Sequence, residues 1–312
     1  MEKIDKMKPE QVSIKDIMRK AYEKKLLIPA FNVAYIPMIL PIVETLKELQ
    51  TFGLVEVARP DVEKFGAESF KKVAEEYFKI ADRRFTRLHL DHIPVIDEDG
   101  KKVDWMPLIK EALGIGYDSV MIDGSRLPLE ENIRVTKEVV ELAHSNNVPV
   151  EAELGAVLGH ESGPLPPYEE LFSTGKGFTR VDEARHFVKE TNVDWLSVAI
   201  GNIHGAISGV AKDRKKIEAR LNIEHLKKIK EATNIPLVLH GGSGIKRIYL
   251  LEAIKNGITK INIGTNIRQK YEKTLSQTGD LEKARRAVAE EIKYLITQEY
   301  QIQDSQGMLF SQ

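Results

Sequence analysis

Three histidines follow short apolar segments that have the length of buried strands. His92 ends the segment LHLDH, His204 lies in GNIHG, and His240 ends PLVLH. Three imidazoles that converge with one position left open are typical of a catalytic zinc site, and cobalt or iron suits the same ligands. The sequence contains no cysteine, which excludes thiolate ligands, disulfides and a cysteine nucleophile. For His240 alone, a core histidine before a tight turn is the structural alternative.

Two carboxylates are close to these histidines in the sequence. Asp91 precedes His92, and it could move a proton to or from a carbon next to a metal-polarised carbonyl. Its structural alternative is a carboxylate that caps a turn or orients His89. Glu153 ends an aliphatic segment, where an acidic side chain needs a partner. A contact with a histidine or with the metal would supply that partner.

Two glycine-containing turns favour an anion site. The turn GGSG at 241–244 leaves backbone N–H groups uncovered, and a helix is predicted to begin near Lys246. Asn262, Gly264 and Thr265 lie in the later motif KINIGTN. Barrels often hold phosphate after the seventh and eighth strands, so the two stretches together indicate a phosphate site.

Eight apolar segments alternate with helical segments. The predicted strands are 27–33, 53–58, 85–90, 118–122, 148–153, 195–200, 236–239 and 260–263. This alternation predicts an α/β fold of the (β/α)8 TIM-barrel type, and polar residues at strand ends favour it over an open doubly wound sheet. We expect one domain over 1–312, with a polar leader at about 1–12. A helical extension at about 266–312 is expected to end in a frayed, glutamine-rich tail.

Composition narrows the class of partner. The 312 residues are 42% hydrophobic, with 46 basic against 47 acidic side chains. A balanced charge gives no field for nucleic acid or a membrane surface, so the partner is expected to be a small molecule. The sequence predicts neither a signal peptide nor a membrane span, which indicates a cytoplasmic protein. The long connection at 155–179 is expected to be a lid or substrate loop.

The sequence resembles the class II, metal-dependent ketose-bisphosphate aldolases, which include fructose-bisphosphate and tagatose-bisphosphate aldolases. The matching motifs occur in the family's order: LHLDH, SVMIDGS, EAELG, AIGNIHG, LVLHGGSGI and KINIGTNIR. The resemblance implies zinc ligands at His92, His204 and His240, and it implies Asp91 as proton carrier. Glu153 would act near the metal, and Glu161 in LGHESG would be an acid on a mobile loop. The implied binding residues for dihydroxyacetone phosphate are Gly205, Gly241, Gly242, Ser243, Asn262, Gly264 and Thr265.

Some positions depart from the family pattern. Glu56 and Ala58 replace a Gln and a Ser that family members often carry, and HGAISG has Ser208 where a lysine is common. The half of the site that meets the aldehyde is therefore expected to have changed.

These patterns predict a zinc aldolase that reversibly cleaves a ketose bisphosphate, by default fructose 1,6-bisphosphate, to dihydroxyacetone phosphate and an aldehyde. A homo-oligomer, either dimer or tetramer, is expected. One alternative is an aldolase or epimerase for another sugar phosphate, such as tagatose 1,6-bisphosphate. The other is a non-catalytic barrel subunit, which would be expected to have lost metal ligands.

Overall fold

A computed structural model describes residues 8–155, 168–202, 219–242 and 244–311 of the chain. Within these ranges eight parallel strands pair in chain order, and β1 pairs with β8 to close a barrel. The strands are β1 Ile28–Asn32, β2 Gly53–Ala58, β3 Thr86–Pro94, β4 Ser119–Asp123, β5 Val150–Leu154, β6 Trp195–Val198, β7 Leu237–Leu239 and β8 Ile258–Ile263. The predicted (β/α)8 barrel is confirmed, and the open sheet is wrong.

Helices surround the barrel and continue beyond its last strand. They are α1 Ile14–Lys24, α2 Ile39–Glu48, α3 Arg59–Lys64, α4 Phe70–Ile80, α5 Trp105–Ile115, α6 Leu129–Ser145, α7 Tyr168–Thr174, α8 Val181–Thr191, α9 Ile223–Thr233, α10 Arg247–Lys255, α11 Thr265–Thr278, α12 Leu281–Tyr294 and α13 Gln306–Phe310. None of the helices in the described ranges is long and apolar enough to cross a bilayer. The short helices α3 and α7 escaped prediction because each has fewer than eight residues, shorter than the window of about 11 residues over which a helical period can be recognised.

Register places a layer of polar side chains inside the barrel. Glu56 of β2 pairs with His89 of β3, and His89 pairs with Ser119 of β4. All three are fully buried. Since alternate residues of a strand face the same side, paired positions on neighbouring strands share one layer. The barrel interior therefore combines an apolar packing with a polar layer below its C-terminal mouth.

The opposite end of the barrel is closed by the two ends of the described chain. Ile17 and Met18 of α1 pack with Phe52 and with Leu309 of α13, and all four are buried. The tail is also tied by backbone hydrogen bonds from Asp304 and Gln306 to the turn after α2. The expectation of a frayed tail is therefore wrong, because its apolar residues cover the barrel floor.

Replacing Leu309 by alanine is expected to lower the free energy of unfolding by about 2 kcal/mol or more, because it removes buried apolar contacts. Urea titration of the full chain measures this change. Met308→Ala is the matched control, since the neighbouring side chain is 44% exposed. Equal, near-zero effects of both substitutions would show that α13 does not pack on the floor.

Candidate active site

A cavity opens where the C-terminal ends of the strands meet. Six of the polar residues that line it come from five different strands or the turns after them: Asn32, Asp91, His92, Glu153, His240 and Asn262. This is the end of a TIM barrel at which active sites lie. Residues far apart in sequence are thereby brought together by barrel closure.

An irregularity in the pairing of β3 directs His92 towards this cavity. The strand runs through Asp91 and His92 rather than ending before them, and its register against β4 shifts between Leu90 and Ile93. His92 has φ of 35°, an unusual backbone conformation for a residue with a side chain. Such irregularities re-aim side chains and cluster at functional sites. The bulge thus allows the adjacent Asp91 and His92 both to line the cavity.

His240 lies between two carboxylates just after β7. Its Nε2 donates to Glu151 Oε1 at 2.8 Å, and its Nδ1 is 3.1 Å from Glu153 Oε2. Burial alone would lower the pKa of His240, but these two carboxylates raise that pKa to about 10. Burial and the nearby Asp123 raise the pKa of Glu153. The contact with Glu153 gives this buried acid the histidine partner that it requires.

His92 and His240 are neighbours in the cavity. Their ring centroids are 4.3 Å apart in an edge-to-face arrangement, and His92 Nδ1 is 3.5 Å from Asp123 Oδ2. Burial lowers the pKa of His92, but the negative charge of Asp91, together with Asp123 and Glu153, raises it to about 9. Two basic imidazoles in contact are held together by surrounding carboxylates.

The same residues fit a divalent metal. Ligand atoms of Asp91, His92 and His240 lie within 4.8 Å of one another, and so do those of His92, Asp123 and Glu153. Imidazole nitrogen and carboxylate oxygen are the ligands that zinc and similar divalent ions prefer, and the group lies at the edge of an open cavity. A metal cation that replaces the protons of the two imidazoles would also remove the repulsion between their positive charges.

Two amides hold the carboxylate of Asp91. Asn32 Nδ2 donates to its Oδ2 at 3.0 Å, and Asn262 Nδ2 donates to its Oδ1 at 2.8 Å. Burial opposes ionisation of Asp91, but the positive charges of His92 and Lys260 lower its pKa to about 2. Asp91 is therefore an ionised, oriented carboxylate rather than a turn cap.

The glycine turn and the start of α11 form the other wall of the cavity. Gly241, Gly242, Gly264 and Thr265 all line it. A side chain at Gly242 would approach Ile261 to 2.5 Å, so only glycine fits there. Helix α11 begins at Thr265 and presents its N-terminal backbone amides to the cavity. This wall is suited to an anion.

Beneath the cavity lies a buried ionic group that was not predicted from the sequence. Lys260 Nζ is 2.9 Å from Glu151 Oε2 and 3.3 Å from Glu56 Oε2, and all three side chains are fully buried. Asn32 and Asp123 were also missed as site residues, although each ends an observed strand and lies within one residue of the end of a predicted one, which is the signal that identified the histidines. Glu151 and Lys260 lack that signal because they lie deeper in their strands.

The structure corrects one predicted position, and several others lie outside the described residues. Glu56 was expected to meet the aldehyde fragment, but it is fully buried against Lys260 and does not line the cavity, whereas Ala58 does. The remaining predicted site residues fall outside the described ranges: Glu161, His204, Gly205 and Ser243. Ser208 and residues 156–167 of the predicted lid fall there too.

The fold and site define a barrel enzyme that joins a metal-ligand cluster to an oriented carboxylate and an anion-binding wall. A family model described as class II fructose-bisphosphate aldolase matches residues 12–308. The chain therefore belongs to the class II fructose-bisphosphate aldolase family. It is an aldolase, an enzyme that cleaves a carbon–carbon bond, and aldolases of this class depend on a metal.

Individual relatives agree with this assignment. The chain is 34% identical over 264 residues to a 6-phospho-5-dehydro-2-deoxy-D-gluconate aldolase of Halalkalibacterium halodurans, covering 83% of this chain and 82% of that one. It is 32% identical over 270 residues to a fructose-bisphosphate aldolase of Geobacillus stearothermophilus, covering 85% of each. The crystal structure of the YdjI aldolase from Escherichia coli K12 matches with a TM-score of 0.71 and 29% identity, covering 93% of this chain and 98% of that one.

Metal binding at pH 7 is expected to release about two protons, because His92 and His240, with pKa values of about 9 and 10, must lose theirs to become ligands. Calorimetry with Zn²⁺ in buffers of different ionisation enthalpy counts these protons. His144→Gln is the control, since His144 binds Asp194 at the start of β6, away from the cavity. Zero proton release would mean that both imidazoles are neutral in the metal-free protein.

The raised pKa values of His92 and His240 also determine how the stability of the metal-free protein changes with pH. Protonation of the two imidazoles stabilises the fold fully below their ordinary pKa of 6.5, and this contribution is lost as the pH rises through about 9 to 10. Metal affinity should change in the opposite direction and rise with pH over that interval.

Proposed function

We propose that the chain is a zinc-dependent aldolase that reversibly cleaves a phosphorylated ketose, with dihydroxyacetone phosphate as one fragment. The observation that carries this proposal is one cavity in which His92 and His240 adjoin Asp91, itself held by Asn32 and Asn262. A metal polarises a carbonyl, and a fixed carboxylate moves a proton at the neighbouring carbon. These are the two requirements of an aldol reaction through an enolate-type transition state.

His92, His240 and the sequence-predicted ligand His204 would hold the metal, with Glu153 beside it. A bound zinc ion would polarise the ketone and stabilise the negative charge that develops on its oxygen. The protein's contribution to this step is orientation: Glu151 binds one nitrogen of His240, which leaves the other nitrogen directed towards Glu153.

Asp91 would carry the proton. In the direction of synthesis its carboxylate removes a proton from the hydroxymethyl carbon next to the ketone and passes it to the aldehyde oxygen, which becomes a hydroxyl. In cleavage the carboxylate takes the proton from that hydroxyl and returns it to the carbon. Two donated hydrogen bonds leave the carboxylate little rotational freedom. Orientation of this kind is a large part of the advantage of an enzymatic base over one in solution.

The phosphate of dihydroxyacetone phosphate would bind between the glycine turn and the start of α11. Gly241 and Gly242 approach without side chains, and Gly264 and Thr265 contribute the N-terminal amides of α11. Backbone amides and the helix dipole together favour a doubly charged anion. The phosphate would then lie beside the metal ligands, as a ketone one carbon away requires.

Arginines line the rest of the cavity. Arg59 contacts Glu63 and Asp97, and Arg268 contacts Glu272, whereas Arg126 has no carboxylate partner among the described residues. A cation without a local partner favours a second anionic group on the aldehyde fragment. Fructose 1,6-bisphosphate supplies a phosphate there. The substrate named for the H. halodurans relative supplies a carboxylate.

Asp91→Asn is expected to retain metal and substrate binding but to slow turnover about a hundredfold or more, the usual scale for loss of a positioned base. Steady-state kinetics and metal analysis on the same sample measure both quantities. Glu153→Gln is expected to have a milder effect on turnover. Loss of metal from the Asp91 variant, or near-normal turnover, would assign Asp91 a structural role.

A panel of four substrates separates recognition of the two ends. Fructose 6-phosphate lacks the phosphate next to the ketone, and we expect no measurable cleavage, because the glycine turn and α11 then bind nothing. Fructose 1-phosphate lacks only the distal anion and should lose less. Values of kcat/KM for fructose 1,6-bisphosphate and 6-phospho-5-dehydro-2-deoxygluconate then identify the distal group. Equal cleavage of fructose 6-phosphate and the bisphosphate would contradict the phosphate assignment.

A further inference from the structure

One buried ammonium group, that of Lys260, lies in the barrel directly beneath the candidate site. Its side chain is fully buried, and three oxygens from three other strand residues surround it. Lys260 Nζ donates to Asn262 Oδ1 at 2.6 Å and contacts Glu151 Oε2 at 2.9 Å and Glu56 Oε2 at 3.3 Å. An ammonium has three donors and no acceptor, so these three oxygens match its full capacity.

The contact with Asn262 fixes which way the amide of that residue points. Because Lys260 can only donate, the amide must turn its oxygen towards the ammonium, and its nitrogen then faces Asp91 Oδ1 at 2.8 Å. A flipped amide would set its N–H groups against the ammonium and its oxygen against the carboxylate, which creates two repulsive contacts at once. Lys260 therefore determines that Asp91 receives a hydrogen bond from this side.

The contact between Lys260 and Glu151 orients a predicted metal ligand, His240, in a similar way. Glu151 uses Oε2 for Lys260 and Oε1 for His240 Nε2, the latter at 2.8 Å. Oε2 also accepts a hydrogen bond from Trp195 Nε1 at 2.7 Å, so the ammonium and the indole together hold this oxygen. The other oxygen then has a fixed position against the imidazole. The ring of His240 then presents Nδ1 towards Glu153. One ammonium thus links the proton-carrying carboxylate with a predicted metal ligand.

We propose that Lys260 is a positioning residue for the aldol reaction, acting through Asn262 on Asp91 and through Glu151 on His240. It does not line the cavity, so it touches neither the substrate nor the reacting atoms. The inference rests on the proposed function, since it predicts an effect on turnover by that site. Its consequence is that the proton step is sensitive to a residue that the substrate never meets.

The test is Lys260→Met, which keeps most of the side-chain length and removes the charge and the donors. Turnover is expected to fall about a hundredfold, the scale of loss for a misplaced catalytic group, while KM changes little. Exchange of the hydroxymethyl proton of dihydroxyacetone phosphate for deuterium, followed by NMR, isolates the proton step and should slow in parallel. Metal affinity should weaken by about tenfold, as for other residues that support a ligand.

A double-mutant cycle with Asn262→Ala tests the route through the amide. If Lys260 acts through Asn262, the double variant should turn over little more slowly than the slower single variant. Fold losses that multiply would overturn this route. Arg87→Met is the matched control, because Arg87 is also a fully buried cation but bonds backbone carbonyls at the opposite end of the barrel. It should reduce stability and leave kcat per folded molecule unchanged.

Loss of Lys260 leaves buried carboxylates without their cation, so the double variant Lys260→Met/Glu56→Gln, which also removes one of the two carboxylates that contact the ammonium, carries the same test if the single variant does not fold. Normal turnover and proton exchange in either folded Lys260 variant would overturn the inference. An inactive wild-type protein on every phosphorylated ketose would instead overturn the proposed function. Activity of the wild type, measured beside each variant, therefore separates the two failures.

Discussion

The burial of one ammonium constrains the whole interior of this barrel. Removing an ion from water costs several kcal/mol even after the protein relaxes, and the cost is offset only when neighbouring groups satisfy all of its hydrogen bonds. Lys260 donates a hydrogen bond to Asn262 and lies within ion-pair distance of Glu151 and Glu56, so oxygens surround the buried charge. Those residues come from β2, β5 and β8, so the strands must close in one register for the ammonium to be satisfied. The polar layer therefore specifies how the barrel closes as well as what lies above it.

The charges of this layer act on the site above it through a series of contacts. Burial alone would raise the pKa of Glu151, but Lys260 and His240 hold it below its ordinary range, so the carboxylate stays ionised. The ionised Glu151 in turn helps to raise the pKa of His240. The positive charges of His92 and Lys260 likewise keep Asp91 ionised. The site therefore combines a strongly basic imidazole pair with an acidic carboxylate, an arrangement that a divalent cation stabilises when it replaces the protons.

The parts of this arrangement that could be predicted from sequence are those with a local signal. A strand-end position identified Asp91, His92 and His240, because barrel closure brings all strand ends to one face. The interior residues lack such a signal, since a buried lysine and a surface lysine look alike until the register between distant strands is known. The floor of the barrel was missed for the same reason. Leu309 belongs to a polar tail by composition, and only its packing against α1 shows that it is part of the core.

Glu56 illustrates why the register between strands must be known before the effect of a substitution can be predicted. A glutamate in place of a glutamine suggested altered contacts with the aldehyde, yet the side chain lies in the interior layer beside Lys260. Burial and the negative charge of Asp91 raise the pKa of Glu56 well above its usual value, and together they outweigh the lowering by Lys260. Glu56 lies in the interior layer and does not line the cavity, so differences in substrate recognition are expected from residues that do line it, among them Ala58 and Arg126.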